Sequence, residues 1–246
     1  TPLFLKATPL NQGLFFMLLS TALTKISYAL RALDDDAPSV GTDEGDYWIS
    51  VLNSKKDELY RDQKQNWSTN FTVLNVGTIS ASASLSFDLP DEFIGVAGDN
   101  YDDINGSDAY VVKNGIRTNL KVIKPSRRTD AQALYISGVN PQTITFTQEI
   151  TASDPLVGGT LYLPAYVVPD DVTSENDVIP VPDPDWLVAA TAAELAFSDL
   201  IYEDKAEALN AKANNLYRMM VANNRRLSQG GVNRMTYQVP KIRSSR

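Results

Sequence analysis

The spacing of hydrophobic residues changes twice along this chain, from a helical period to an alternating one and back. In residues 11–33 apolar side chains recur every three or four positions, and residues 46–62 show a shorter version of the same pattern. From residue 67 to about 168, apolar residues alternate with polar or small ones. A period near 3.6 is typical of amphipathic helices, and a period of 2 is typical of half-buried strands. The sequence therefore predicts two N-terminal helices followed by a β domain.

Pairs of turn-forming residues divide the alternating region into short strands. Asn and Gly tolerate the backbone conformations that tight turns require, and Pro fixes a turn conformation. The pairs are Asn105-Gly106, Asn114-Gly115, Asn140-Pro141 and Gly158-Gly159. Six to eight antiparallel strands of this kind predict a small sandwich or a barrel-like sheet.

Helical spacing returns after a proline-rich segment. Within that segment Asp183 can cap a helix, and Pro184 suits the first helical position. Apolar residues then indicate one helix over residues 186–201 and another over residues 206 to about 224. The C-terminal third of the chain is therefore predicted to be helical, like the first.

This order of elements predicts an α+β fold. We expect the N- and C-terminal helices to form a helical bundle, with the antiparallel β-sandwich or barrel-like unit inserted between them. A repeating βαβ order, which a dinucleotide-binding fold requires, does not occur in the sequence. The predicted boundaries are 1–66 for the N-terminal helices, 67–179 for the β domain, 180–227 for the C-terminal helices and 228–246 for a basic C-terminal arm.

The composition excludes several classes of enzyme. The 246 residues include neither cysteine nor histidine. This excludes thiol nucleophiles, Ser-His-Asp and Cys-His arrangements, disulfides and zinc sites built on thiolate or imidazole. The 30 acidic residues form no signature that separates a catalytic carboxylate pair from surface charge. We expect a protein that is not an enzyme and that holds no cofactor and no metal.

One acidic segment, residues 99–108, is similar at first sight to a calcium-binding loop. With Gly106 at the sixth position of such a loop, Tyr101 takes the first position and Val112 the twelfth. Both of those positions require a carboxylate ligand. We interpret the segment as a solvated hairpin loop, with cation binding as the alternative.

The apolar runs are short. The longest, residues 14–19, has six residues, whereas a membrane-spanning helix needs about 20. We therefore expect no transmembrane segment and no contact with a membrane. The few basic residues around this run also do not match a secretory signal.

Charge is distributed unequally along the chain. Residues 210–246 contain eight basic residues and no acid, which leaves −16 on residues 1–209 of a chain whose net charge is −8. Such an end can be a solvated tail, or it can bind an acidic protein surface or nucleic acid. Apolar residues between the charges favour folding on a protein partner. The predicted residues for binding a partner or a neighbouring subunit are Arg225, Arg226, Arg234, Met235, Tyr237, Val239, Lys241, Ile242 and Arg243.

An N-terminal helix and an element ending at Trp67 are followed by four short segments in a recognisable order. These are residues 86–93, 134–138, 161–166 and 182–188, the last of which opens an alanine-rich helix. In this order, from about Trp48 to Asn224, the chain resembles the adaptor, or head-to-tail connector, proteins in the neck of tailed bacteriophages.

This resemblance implies a structural virion protein, assembled in the host cytoplasm, that forms a homo-oligomeric ring, commonly of twelve copies. The ring would join the portal of the capsid to the tail or another neck protein and would line the channel for DNA ejection. In that family a C-terminal helix or arm commonly engages the portal. An acidic channel wall would repel DNA and keep it from sticking to the wall. The DNA would pass through the channel without sequence-specific binding. The alternative is a β-sandwich module of a phage tail that binds host glycans through exposed aromatic residues.

Overall fold

The computed structural model describes residues 17–31, 36–62, 67–97, 107–125, 131–139 and 141–230. These residues form an α+β fold, which confirms the predicted class. The helices are α1 (Leu19–Leu30), α2 (Asp43–Arg61), α3 (Pro184–Ser198) and α4 (Glu203–Gly230). The strands are β1 (Phe71–Thr78), β2 (Ser86–Asp88), β3 (Phe93–Val96), β4 (Ser107–Lys113), β5 (Ile116–Ile123), β6 (Ala133–Ser137), β7 (Thr143–Phe146) and β8 (Thr160–Val167). No helix in this described part of the chain is long and apolar enough to cross a membrane.

The strands form one mixed sheet. Their order is β1-β8-β4-β5-β6-β7-β2, and β3 also pairs with β8. The pairs are antiparallel except for β5 and β6, which are parallel. The prediction of a wholly antiparallel unit is therefore wrong at this pair. Alternation of side chains reveals a strand but not its direction, which depends on how the chain returns between strands.

The sheet curls into a nearly closed, barrel-like unit, which is one of the two forms that the sequence predicts. Its end strands, β1 and β2, come together without pairing. The contact depends on Gly77, because a Cβ atom there would lie 2.7 Å from the Phe87 ring. The inside of the barrel is filled by alternate residues, as in β8, where Leu161, Leu163 and Ala165 are buried. The predicted alternation is thus confirmed in this strand.

Helix α3 lies at the centre of the helical part, with α1, α2 and α4 each packed against it. Its sequence is apolar on nearly all sides, which is typical of a helix surrounded by others. All four helices contribute buried side chains to one core. That core includes Leu23 and Ile26 of α1, Leu52 of α2, Leu187 of α3 and Met220 of α4.

Residues that follow or precede the sheet also belong to this helical core. Trp67, Val168, Val172 and Ile179, which the sequence places with the β domain, pack there, as does Ile94 of β3. The barrel has a separate core of its own. The two cores therefore meet at the connecting segments rather than merging.

A fully buried lysine fastens the segment between β8 and α3 to α2. The Lys56 ammonium donates hydrogen bonds to the carbonyl oxygens of Pro169 at 2.8 Å and Asp170 at 3.0 Å. It also pairs with the Asp171 carboxylate at 2.7 Å. Burying an ammonium without such partners costs roughly several kcal/mol. These three oxygens therefore allow the Lys56 ammonium to be buried.

Two further buried side chains of α2 fix the same segment. The amide of Asn53 donates to the Val172 carbonyl at 2.9 Å and accepts from the Val172 N–H at 3.1 Å. The Tyr60 hydroxyl donates to the Pro180 carbonyl and lies 2.9 Å from the Thr69 hydroxyl. Burial raises the pKa of Tyr60, so this phenol stays protonated.

Several helix boundaries differ from the predicted ones. Helix α1 begins at Leu19 because the N–H groups of Leu19 and Ser20 donate to the carbonyls of Asp177 and Glu175. Residues 17–18 are not helical, and residues 11–16 lie outside the described residues. Helix α2 begins three residues early, at Asp43, because the Thr42 hydroxyl caps it.

At the other end of the chain, α4 continues to Gly230, six residues beyond its predicted end. The predicted boundary between helices and arm, at 227–228, therefore falls inside the last turn of α4.

Candidate assembly surfaces

Helix α4 carries the first two of the predicted partner-binding residues. It packs against the helical core as far as Val221 and then continues for nine residues to Gly230. At 1.5 Å per residue this extension is about 13 Å long. Arg225 and Arg226 lie in this extension. Arg234, Met235, Tyr237, Val239, Lys241, Ile242 and Arg243 lie outside the described residues, so the structure places two of the nine.

Charge is polarised along α4. Its first two turns contain Glu203, Asp204 and Glu207, which are exposed and have no ion pair in the part of the chain that is described. The second half of the helix contains only basic charges, and Arg225 and Arg226 stand near its end. The sequence of α4 therefore places acids in its first two turns and only bases in its second half.

An apolar surface lies at the turn between α3 and α4. Phe197, Leu200 and Ile201 are 56%, 87% and 76% exposed there. Tyr47 of α2 is 52% exposed beside them, and its hydroxyl lies 3.4 Å from that of Ser198. We call these four apolar residues the hairpin tip. Large apolar side chains that are exposed close together along the chain are typical of a protein interaction site.

The hairpin tip stands on a turn that is held by hydrogen bonds. The Asp199 carboxylate accepts from the N–H of Ile201 at 3.0 Å, and its carbonyl accepts from the N–H of Tyr202 at 3.0 Å. At the base of the turn the Lys205 ammonium donates to the carbonyl of Leu30 at 2.7 Å. The exposed side chains are therefore displayed by a fixed backbone.

The sequence predicts these residues to lie in a helix rather than at a turn. It placed Phe197, Leu200 and Ile201 on the buried face of a helix over residues 186–201, but α3 ends at Ser198. That prediction is wrong at its C-terminal end. The signal that was available is Ser198-Asp199, because both residues favour turns over helix interiors.

Three basic side chains of the helical part, besides Lys56, form ion pairs. Lys25 pairs with Asp185 at 2.7 Å, and Arg31 pairs with Glu44. Lys55 lies 3.1 Å from each of its two glutamate partners on α2 and α3. Partial burial works against the charged form of Lys55, but the hydrogen bonds and charges of these glutamates outweigh it and raise its pKa. The acids left over give this part of the surface its negative character.

A cleft of about 400 Å³ lies between α2 and the segment after β8. It is lined by Asp46, Asp57 and Asp171 together with serine, asparagine and threonine side chains. Within the described ranges, no three or more acidic residues come together in a way that could hold a metal ion. Most of the acidic segment 99–108 is outside those ranges.

Aromatic residues on the outside of the barrel cover one another. The Tyr110 ring stacks on the Tyr162 ring with 5.3 Å between centroids, and the Arg117 guanidinium lies 3.8 Å from the Tyr110 centroid. Because β4 lies between β8 and β5, these two neighbours occupy opposite faces of Tyr110. Phe71 meets Tyr166 edge to face at 6.3 Å. This arrangement leaves no open face on Tyr110 for a sugar ring.

The barrel is open along one line, between β1 and β2. We call the side of β1 that faces β2 the β1 edge. In the described structure β1 pairs with β8 alone, and a cavity of about 420 Å³ lies between β1 and β2. Leu74 and Val76 line it from β1, and Asp88 and Leu89 line it from the other side. On the outer face of β1, Phe71 is 52% exposed.

Neither a protein-family model nor a curated protein sequence matches this chain.

Proposed function

We propose that this protein is a structural virion protein of a tailed bacteriophage, an adaptor that forms a homo-oligomeric ring in the neck. The ring, of about twelve copies by family resemblance, joins the portal of the capsid to the tail or another neck protein. It lines the channel through which DNA leaves and carries out no catalysis. The observation that carries the proposal is the hairpin tip, because a fixed apolar surface of this kind needs a protein partner.

The helices supply the body of the ring in this proposal. The four helices act as one helical bundle around α3, and the β unit is inserted as a protrusion on that bundle. The shared helical core supports this view. The hydrogen bond from the Lys205 ammonium of α4 to the Leu30 carbonyl of α1 also supports it. A body braced in this way can carry the contact between copies at the hairpin tip.

The charge distribution of α4 fits the contacts of a ring. A ring needs heterologous contacts, in which one face of a copy meets a different face of the next. The acids at the start of α4 and the arginines at its end supply two such faces of opposite charge. Complementary charge directs orientation and speeds association more than it adds affinity. The apolar hairpin tip supplies the affinity.

The C-terminal arm contacts the portal or the neighbouring copy. Its basic residues meet acidic groups, and each exposed ion pair contributes about 0.2–1 kcal/mol. Burial of Met235, Tyr237, Val239 and Ile242 contributes more, at about 1.5–3 kcal/mol for a large apolar side chain. The unpaired acids of the body then face the channel and repel the passing DNA.

The test is assembly of the full chain with and without the hairpin tip. We compare the wild-type protein with a Leu200→Ser, Ile201→Ser double variant by native mass spectrometry across a range of concentrations. Because both side chains are exposed, the variant keeps its fold. If each side chain contributes about 1.5 kcal/mol at the contact, the dissociation constant rises about 100-fold or more.

The matched control is Val139→Ser, which changes a residue that is 91% exposed on the barrel. It should assemble like the wild type. Equal masses for the wild type and the double variant would remove the observation on which the proposal rests. A wild-type protein that stays monomeric even with the portal would reject the ring itself.

A glycan-binding module of a phage tail is the second candidate. Sugar rings stack on open aromatic faces, whereas the barrel's aromatic side chains are engaged with one another and with Arg117. Binding of the purified protein to a glycan array, lost on Tyr162→Ala, would favour this candidate over the adaptor.

A further inference from the structure

Strand β1 has the features of an edge that another strand covers. It has eight residues, and its sequence contains neither charge nor proline. Long uncharged edges pair readily with other chains, so proteins usually shorten them or place charges or proline there. Strand β2, the other end of the sheet, has three residues and ends in Asp88. The β1 edge is thus the less protected of the two.

An added strand would enter the cavity beside β1 and would part β1 from β2 at the Gly77–Phe87 contact. The cavity of about 420 Å³ adjoins Leu74 and Val76, which are only half buried. On the other face of the same strand Phe71 and Val73 are 52% and 41% exposed. A strand paired with β1 would lie about 4.8 Å away and would cover both sets of side chains. Pairing would also satisfy the free backbone groups of β1.

The chain itself contains a segment with the right pattern. In residues 234–239 the apolar residues Met235, Tyr237 and Val239 alternate with polar ones. Such alternation is typical of a strand with one buried face. Pro240 follows directly, and proline ends strand pairing because it has no N–H to donate. The segment therefore matches a short strand that stops at residue 239.

Charge also favours this segment. Asp88 lies at the cavity, and Asp91 and Glu92 follow it on the exposed turn before β3. The arm carries Arg234 at the start of the candidate strand and Lys241 just after it, with no acid anywhere in the arm. Opposite charges on the two partners would direct the arm toward the open side of the barrel.

We propose that residues 234–239 of one copy pair with the β1 edge of a second copy as an added strand. This inference rests on the proposed ring, since each copy then has one donor segment and one acceptor edge, as a heterologous ring requires. Strand addition obtains its affinity from main-chain hydrogen bonds and its specificity from alternate side chains. The residues beyond Pro240 remain available for the portal.

The absence of cysteine from the chain allows a direct test by cross-linking. A full-length Val73→Cys variant is mixed with a full-length, size-tagged Thr236→Cys variant, and disulfide-linked products are separated on a non-reducing gel. We expect a mixed product that contains one copy of each. The control pair replaces Val73→Cys with Val139→Cys, which is more exposed but lies away from β1, and should give at least tenfold less mixed product.

Interruption of the strand provides the second measurement. Tyr237→Pro in the Thr236→Cys copy should reduce the mixed product at least tenfold, because proline removes a main-chain donor from the added strand. Ser244→Pro, in the arm but outside the segment, should leave it unchanged. Equal yields for Tyr237→Pro and Ser244→Pro would overturn the inference.

Pairing within one chain is a distinct result. A Val73→Cys, Thr236→Cys double variant that forms an internal disulfide at high dilution, while the single variants form no mixed product, would overturn donation between copies. Rings that form without any link between the arm and β1 would overturn this inference and leave the proposed function standing. Failure of the proposed function gives a different result, a wild-type protein that never assembles.

Discussion

The helical part and the barrel leave different kinds of surface open. The barrel encloses its own core, stacks Tyr110 on Tyr162 on its outside and ends in two strands, β1 and β2, that do not pair with each other. The helical part buries a charged lysine, yet it displays Leu200 at 87% exposure. The barrel therefore offers unpaired strand edges, whereas the helical part offers the exposed apolar side chains of the hairpin tip.

This difference teaches how each part can bind. An open backbone edge accepts a strand of almost any sequence, whereas an apolar tip requires a partner of matching shape. The proposed ring uses both, with the hairpin tip for affinity between bodies and the β1 edge for an arm. Three substitutions test which contacts stabilise the two parts, as measured by the free energy of unfolding.

The largest effect should come from Lys56→Ala, at the joint between the two parts. The change removes a buried ammonium and leaves Asp171 and two carbonyl oxygens without their donor. The Asp171 carboxylate is 62% exposed and stays hydrated, but loss of a fully buried side chain with three hydrogen bonds costs about 2–4 kcal/mol, so the free energy of unfolding should fall by about that amount. Urea denaturation followed by circular dichroism measures it.

The neighbouring Lys55→Ala variant is the control for that experiment. Lys55 makes surface ion pairs with Glu58 and Glu194, and such pairs contribute about 1 kcal/mol or less. If the two variants lost equal stability, Lys56 would not be the joint that fastens the segment after β8 to α2.

A smaller effect should follow from Gly77→Ala, at the seam of the barrel. The new Cβ would lie 2.7 Å from the Phe87 ring, so β1 and β2 must separate or the ring must move. Overpacking of this kind costs about 1–3 kcal/mol in the free energy of unfolding. In Gly95→Ala, where nothing lies within 4 Å of the added atom, the change should stay within about 0.5 kcal/mol. Thermal melts that rank the two variants in the opposite order would refute the seam contact.

The smallest effect concerns pH. The N–H groups of Thr173 and Ser174 donate to the Asp177 carboxylate and lower its pKa. Because the folded pKa lies below the unfolded one, this contribution is complete above the unfolded pKa and is lost as the pH falls through the folded pKa. Asp177→Asn should therefore be less stable than wild type near neutral pH and approach it in strong acid. A stability difference that stays constant from neutral pH into acid would contradict this.

Much of the fold follows from local patterns. The change of hydrophobic period predicts helices, then strands, then helices, and Asp183 with Pro184 marks the start of α3. These predictions succeed because each depends on residues close together in sequence. The parallel pairing of β5 and β6 and the start of α1 depend on distant segments, such as the carbonyls of Asp177 and Glu175, so no local pattern reveals them.

The candidate surfaces were harder to predict. Phe197, Leu200 and Ile201 keep helical spacing, and a periodic pattern does not distinguish a buried face from an exposed turn. Residues Arg225 and Arg226 were predicted from charge, and the structure adds that they lie on the extension of α4. The remaining arm residues stay predictions from sequence.

Electron microscopy of the purified protein, alone and mixed with the portal, tests the central claim most directly. We expect class averages of a closed ring with an open centre, in which the helical parts form the continuous circle. The Leu200→Ser, Ile201→Ser variant should show no such circle under the same conditions. Two-fold dimers, open filaments or single copies in the wild-type sample would contradict the adaptor ring.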